Sequence, residues 1–149
     1  MIRAAEAADA ARLRAVAKGA YEGYVDRIGR APAPMTADYD AAVRDGQVWV
    51  ATQQDEVVGL LVLIARPDHL LLENIAVLPS AQKRGIGARL LGLAEDQARQ
   101  LHLGQIRLCT NEAMTENLAY YPRHGYIETH RAEQDGFRRV FFVKDLSGL

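Results

Sequence analysis

The sequence predicts an α/β domain that opens with antiparallel strands and carries a strand-helix-strand unit in its middle. Three observations predict it. Gln47 to Gln53 and Val57 to Ala65 are rich in valine, leucine and isoleucine and flank the polar turn QQDE, which reads as a β-hairpin. Leu70 to Val77 is a further apolar strand. A helical period then runs from Ile86 to Leu101 and buries Ile86, Leu90, Leu93, Ala94 and Leu101, before another strand at Gln105 to Thr110.

The other elements follow in order. Ala5 to Ala20 is alanine-rich and sets Leu13, Val16, Ala17 and Ala20 on one face, the pattern of an amphipathic helix. Gly19, Gly23, Gly29, Pro32 and Pro34 break it, so YEGYVDRIGRAPAPM reads as a loop or short helical turn. Its aromatics and arginines suit recognition, because specificity usually sits on loops. Thr36 can cap a helix from Ala37 to Arg44, closed by Gly46. The turn ARPDH leads from the hairpin into Leu70 to Val77. A helix from about Thr115 to Tyr120 and strands near Tyr126 to His130 and Phe137 to Asp145 complete the pattern. No repeat, low-complexity tract or linker interrupts it, so residues 1–149 read as one domain.

Composition narrows the function. A chain of 149 residues can bury roughly two thirds of its unfolded surface without a metal or disulfide staple. The 49% hydrophobic and 25% charged content is that of an ordinary soluble protein. The longest apolar run, Val57 to Ala65, is far short of the ~20 residues that span a bilayer, so no membrane partner is expected. Arg3, Glu6, Asp9 and Arg12 interrupt any secretory segment after Met1. A lone Cys109 permits no internal disulfide and fits a reducing cytoplasm. The formal net charge of −1 gives no bulk attraction to nucleic acid. His69, His102, His124 and His130 lack metal-ligand spacing, so no metal is expected.

Chemistry concentrates in ENIAVLPSAQKRGIGARLL, Glu73 to Leu91, where an apolar strand meets a proline, a basic turn with two glycines and a helix. Amides at a helix start lack intrahelical partners, and the helix dipole places positive charge there. Gly85 and Gly87 remove side chains that would hold a phosphate away, and Lys83 and Arg84 add charge. Phosphate or pyrophosphate is the expected ligand. A tight turn without a ligand is the alternative. The Walker pattern fails for want of Gly-Lys-Ser/Thr, and the dinucleotide fingerprint for want of a third small residue at Leu90 and of a following acidic residue.

What fits is Val77-x-Pro79-x-x-Gln82-x-x-Gly85-x-Gly87-x-x-Leu90-Leu91, with TNEAMTENLAYYPRHGYIE downstream. The first resembles the acyl-CoA motif of the GNAT superfamily of N-acyltransferases. The second resembles that family's later helix, with a tyrosine four residues before a Gly-Tyr pair. The resemblance implies a mixed, mostly antiparallel central sheet flanked by helices and splayed at the strand Leu70 to Val77. It implies acetyl-CoA as co-substrate, with Ile75, Ala76 and Val77 along the pantetheine arm. Gln82, Lys83, Arg84, Gly85, Ile86, Gly87 and Ala88 would lie around the pyrophosphate, with Asn117 as a further contact. It implies transfer, usually of acetyl, to a primary amine of a small molecule or peptide. A non-catalytic acyl-CoA sensor is the alternative, and a homodimer is an open assembly state.

Such a reaction needs two proton-handling groups. An aliphatic amine, with pKa near ~10, must lose a proton before it attacks, so a base is required. The departing thiolate is helped by a proton donor, and a tyrosine can serve. For the base, alternation places Leu71, Glu73, Ile75 and Val77 on one face, where burial would raise the pKa of Glu73. A solvated rim position, or a bulge that reverses the alternation, is the alternative. For the acid, Tyr121 stands four residues before Gly125. Pro122 disfavours helical geometry at Tyr121, so the helix is expected to end or kink there, with Tyr120 as the fallback donor. Tyr21, Tyr24, Arg27 and Arg30 either hold an acceptor or only fold the loop. Cys109 reads as a buried cysteine rather than a nucleophile.

Overall fold

A computed structural model describes residues 1–146. Strand β1 (Ile2–Ala4) pairs with β2 (Val48–Gln53), which forms the expected hairpin with β3 (Glu56–Ala65). The hairpin turn is made by Gln54 and Asp55, both at positive φ (51° and 64°), a twist that matches the flanking strands. β4 (Leu70–Val77), β5 (Gln105–Asn111), β6 (Ile127–Gln134) and β7 (Phe137–Asp145) complete one seven-stranded sheet in the order β1-β2-β3-β4-β5-β7-β6. Every pairing is antiparallel except β4 with β5. β1 was not anticipated; three residues are too few to show a period, and only pairing with a distant strand holds them.

The helices are α1 (Ala10–Tyr21), the short α2 (Val25–Ile28), α3 (Tyr39–Arg44), α4 (Ile86–Gln100) and α5 (Thr115–Arg123). Helix α1 starts later than the alanine-rich run, because residues 7–9 form a tighter turn in which Asp9 accepts the Glu6 N–H (2.8 Å) and pairs with Arg3 (2.8 Å). α3 is capped by Asp38, whose carboxylate accepts the Ala41 N–H at 3.0 Å. Thr36, the expected cap, instead closes the turn Ala33–Met35 and donates to the Ala33 carbonyl (3.3 Å). Leu101, expected on the buried face of α4, is the exposed residue after its end.

From Leu60 to Leu63, β3 separates two apolar layers by alternation. Leu61 and Leu63 pack with Leu90, Ala94, Ile106 and Phe142 beneath α4; Leu60 and Val62 pack with Leu13, Val16 and Tyr39 beneath α1 and α3. Leu90 and Leu13 are wholly buried. Truncating either to alanine should destabilise by about 2–5 kcal/mol. At the far edge, all eight residues of β6 are exposed, and its charges and bulge guard against pairing with other chains. No helix among the described residues is long and apolar enough to cross a membrane.

Candidate active site

The site begins with a parting of strands. β4 pairs with β5 only at Leu70↔Ile106 and Leu71↔Arg107, whereas β5 pairs with β7 along its whole length. From Glu73 onward, β4 therefore presents an edge with no strand beside it. Two cavities open along this splay. The smaller, about 540 Å³, runs past Ile75, Ala76 and Val77 to Gln82, Lys83 and Gly85–Ala88 and is walled by α5. The larger, about 670 Å³, lies between β4, β5, α3 and the end of the sheet. Tyr21, Ile75, Met114, Asn117 and Tyr121 line both, so the cavities meet there.

At the head of the smaller cavity, Gln82 Nε2 donates to the Val77 carbonyl (3.0 Å) and ties the turn to the strand end. Lys83 (φ +66°) and Gly85 (φ +79°) are left-handed, and the first bond of α4 runs from Arg89 N–H to Gly85 C=O (3.1 Å). The amides of Ile86, Gly87 and Ala88 thus precede any intrahelical acceptor. The two glycines have different reasons. A Cβ on Gly85 would meet open space, so its requirement is the backbone angle; a Cβ on Gly87 would lie 2.8 Å from Tyr120 Oη. Lys83 lines the cavity, but Arg84 does not: its guanidinium donates to Gln53 Oε1 (3.3 Å).

Glu73 is exposed, not buried, and the expected shared face of Leu71, Glu73, Ile75 and Val77 does not exist. The register with β3 jumps from Leu63↔Leu72 to Val62↔Asn74, which leaves Glu73 as the extra residue of a β-bulge. Before the bulge, Leu70 and Leu72 enter the layer under α4; after it, Ile75 and Val77 do so and Ala76 enters the opposite layer. Leu71, Glu73 and Asn74 consequently all reach the larger cavity. Asn74, only 7% exposed, is held from two sides: its Nδ2 donates to Tyr39 Oη (3.0 Å), and Tyr21 Oη lies 2.6 Å from its Oδ1. Tyr21 Oη also lies 2.9 Å from the Ile75 carbonyl. Burial raises the pKa of Tyr39 to about 12 and that of Tyr21 well above the usual phenol.

Helix α5 does not stop at the proline. It runs through Tyr121 and Pro122 to Arg123, which overturns the expected break, and its end explains the Tyr121-to-Gly125 spacing. Tyr126 N–H reaches the Tyr121 carbonyl (3.2 Å) and Gly125 N–H the Pro122 carbonyl (3.1 Å), with Gly125 at φ +89°. This is a Schellman closure, in which the residue after the glycine packs on the residue three turn positions before the cap. The rings of Tyr126 and Tyr121 are accordingly 5.7 Å apart. Proline fits because only the bond to Leu118 C=O is forfeited, one residue before the helix ends. Tyr121 is 6% exposed, and its hydroxyl has no hydrogen-bond partner among the described residues although it lines both cavities. Burial raises its pKa, and that of Tyr120, which lines the smaller cavity alone.

Asn117 donates to Thr110 Oγ1 (3.1 Å), which in turn approaches Met114 Sδ (3.8 Å). Tyr24 lines the smaller cavity and donates to Glu116 (3.1 Å), and Arg27 pairs with Glu116 (2.9 Å) but lines neither cavity. Arg30 donates to the Asp135 carbonyl and stacks on Phe137, likewise outside both cavities. Cys109 lines the larger cavity, where burial pushes its thiol up. Tyr39, Asn74, Thr110 and Met114 were missed by sequence reasoning. Asn74 alone carried a signal, as an amide within an otherwise apolar stretch that must find a partner.

This geometry has close counterparts. Residues 13–126 match the model of the acetyltransferase (GNAT) family. The uncharacterized N-acetyltransferase YvbK of Bacillus subtilis is 32% identical over 88 residues, covering 58% of this chain and 57% of that protein. The aminoalkylphosphonate N-acetyltransferase of Salmonella typhimurium is also 32% identical over 88 residues, covering 54% of this chain and 56% of that one. The chain thus spans little more than half the length of these relatives. Among solved structures, the PaiA N-acetyltransferase of Thermoplasma acidophilum in complex with coenzyme A superposes with a TM-score of 0.81 at 17% identity, over 97% of this chain and 98% of that one. The ribosomal-protein-S18-alanine N-acetyltransferase of Escherichia coli gives 0.76 at 19%, over 98% and 93%. With a family match over most of its length and an overall fold that these structures share, the chain belongs to the GNAT acetyltransferase family.

Proposed function

We propose that the chain transfers an acetyl group from acetyl-CoA directly to a primary amine of a small molecule or peptide. One observation carries this reading: two cavities of substrate size meet at Tyr21, Ile75, Met114, Asn117 and Tyr121. A donor entering from one side and an acceptor from the other would bring their reacting atoms together at that junction, which is a large source of rate in a two-substrate reaction.

The smaller cavity fits acetyl-CoA in kind. The free amides at Ile86–Ala88 and the ammonium of Lys83 suit a diphosphate, and the open edge of Ile75–Val77 suits an amide-bearing arm that pairs like an added strand. Asn117 and Tyr120 would flank it. When bound, acetyl-CoA supplies an acyl group on a thiol leaving group. Glu73 opens onto the acceptor cavity and has no ion-pair partner among the described residues, so it takes the amine proton, directly or through water. The amine nitrogen then bonds the acyl carbon as the carbon-sulfur bond breaks. Tyr121, kept protonated by burial, gives its hydroxyl proton to the departing sulfur and is reprotonated, directly or through water, by the second proton that the nitrogen sheds as the amide forms. The raised thiol of Cys109 argues against a relay through an acyl-cysteine, which needs a thiolate.

The sensor alternative rested on a helix broken at Pro122, and α5 runs past that residue with Tyr121 in place. Thiol release from acetyl-CoA, measured over a panel of amines with mass spectrometry of the product, tests the proposal. Acetylated amine formed together with one thiol is the expected result. Tight coenzyme A binding without product from any amine would overturn it in favour of the sensor.

A further inference from the structure

The larger cavity has a charge pattern that its neighbours leave uncompensated. Three carboxylates line it, Asp38, Asp45 and Glu73, against one guanidinium, Arg139. None of the three carboxylates has an ion-pair partner among the described residues. Arg139 is already engaged: it donates to Gln134 Oε1 (2.6 Å), lies 3.8 Å from Asp135, and stands over the Phe137 ring at 5.4 Å. The cavity therefore offers a net negative field with its cation neutralised locally, which attracts a cationic guest and repels an anionic one.

Acidic residues on a surface are common and by themselves select nothing. Here a second feature points to an occupant. Tyr121, a residue only 6% exposed, lines the same cavity, and its hydroxyl has no hydrogen-bond partner among the described residues, which leaves a phenol on a buried residue open to a ligand. Glu73 comes from the same bulge that borders the junction, whereas Asp38 and Asp45 bracket α3, at its start and at its end. The same cavity is also lined by apolar side chains, among them Leu71, Ile75, Leu108 and Met114. Carboxylates on two separate elements, the β4 bulge and the ends of α3, with apolar side chains in the same lining, suit a chain of methylenes with a cation at each end.

We infer that the acceptor is a small aliphatic amine carrying a second ammonium group, an alkyl diamine or polyamine. This rests on the transfer reading above. One nitrogen sits beside Glu73 and Tyr121 and is acetylated. The other, still protonated, is drawn toward α3, where Asp38 and Asp45 each add negative potential from its two ends, and this sets which end reacts. An amine whose far end is a carboxylate or phosphonate would place a negative charge among these carboxylates, so this cavity is unsuited to the acceptor class named for the Salmonella relative.

The test compares 1,4-diaminobutane, 1-aminobutane, 4-aminobutanoate and 2-aminoethylphosphonate as acceptors with acetyl-CoA, and measures binding of the same compounds by calorimetry without turnover. The diamine should exceed the monoamine at least tenfold in kcat/KM, and both anionic amines should fall below the monoamine. Asp45→Asn and Asp38→Asn should each lower the diamine-over-monoamine preference about fivefold through KM. Asparagine caps a helix as well as aspartate does, so Asp38→Asn removes charge without unfolding α3. Equal kcat/KM for diamine and monoamine, or preference for either anionic amine, overturns the inference while leaving transfer intact. Diamine binding that weakens in Asp45→Asn, with no acetylation of any amine, supports charge selection and refutes transfer instead.

Discussion

Gly87 separates the two roles a glycine can play, and Gly87→Ala should split folding from binding. The residue is the second of α4, and alanine there gains up to about 1 kcal/mol of helix propensity. Against that gain, the new Cβ would sit 2.8 Å from Tyr120 Oη, and the hydroxyl must move aside. The ring it belongs to packs edge-on against Tyr121, with centroids 5.6 Å apart, a contact worth about 0.5–1.5 kcal/mol if wholly lost. The two terms nearly cancel, so stability should stay within about 1 kcal/mol of the parent and the melting temperature within about 4 °C. Binding has no such offset. A methyl group on the amide turn holds a diphosphate off, and losing one charge-assisted hydrogen bond costs about 1.5–3 kcal/mol, or roughly 10- to 100-fold in coenzyme A affinity. Calorimetric titration with coenzyme A, beside a thermal melt, reads both. Gly85→Ala is the counterpart: its Cβ meets open space, but φ of +79° should destabilise by about 1–2 kcal/mol. Unchanged coenzyme A affinity in Gly87→Ala would refute the phosphate turn, whatever the melt shows.

Tyr121→Phe keeps the ring and its packing, so turnover should fall by at least about 10²-fold with coenzyme A affinity near the parent's, while Tyr120→Phe changes turnover little; the reverse ranking, in an assay limited by chemistry, would assign the donor to Tyr120. Glu73→Gln should lower turnover by about 10²-fold near neutral pH and shift or remove the acidic limb of the pH-rate profile, and an unaltered profile would reject the role of base. Hydrogen bonds from Arg3 hold the Asp9 carboxyl below its ordinary range, so its contribution to stability is complete above the unfolded value near pH ~4 and is lost as pH falls through the folded value. Asp9→Asn should flatten that acid-side decline in denaturant titrations between about pH 4 and pH 2, and an equally steep decline would place the linkage elsewhere.

Much of the fold could be read from the chain because it is written in local patterns. Leu70–Val77 and the start of α4 at Ile86 follow from apolar runs bounded by Pro79 and the glycine turn, and the hairpin from its polar turn. Features set by distant pairing were not legible. β1 depends on β2, nearly fifty residues away, and the bulge in β4 depends on its register with β3. The cap of α3 was misassigned because Thr36 and Asp38 are both good caps, and only the preceding turn, shaped by Pro32 and Pro34, decides between them. Pro122 misled for a related reason: its penalty depends on how many helical bonds follow, and the Schellman closure at Gly125 leaves almost none.

The bulge at Glu73 bears on how this protein can change over generations. Because the bulge takes up one surplus residue, every later β4 side chain keeps the face it would have in a plain strand one residue shorter. Replacement of Glu73 leaves Asn74, Ile75 and Val77 where they are. Deletion of Glu73 would restore plain alternation with Leu72 and Ile75 still in the layer under α4 and Asn74 still on the opposite side, so it would remove the carboxylate without turning the strand over. The bulge thus shields the core from a one-residue change of length at this point, whereas a second gap in β4 would reverse the later side chains and take Ile75 and Val77 out of their layer.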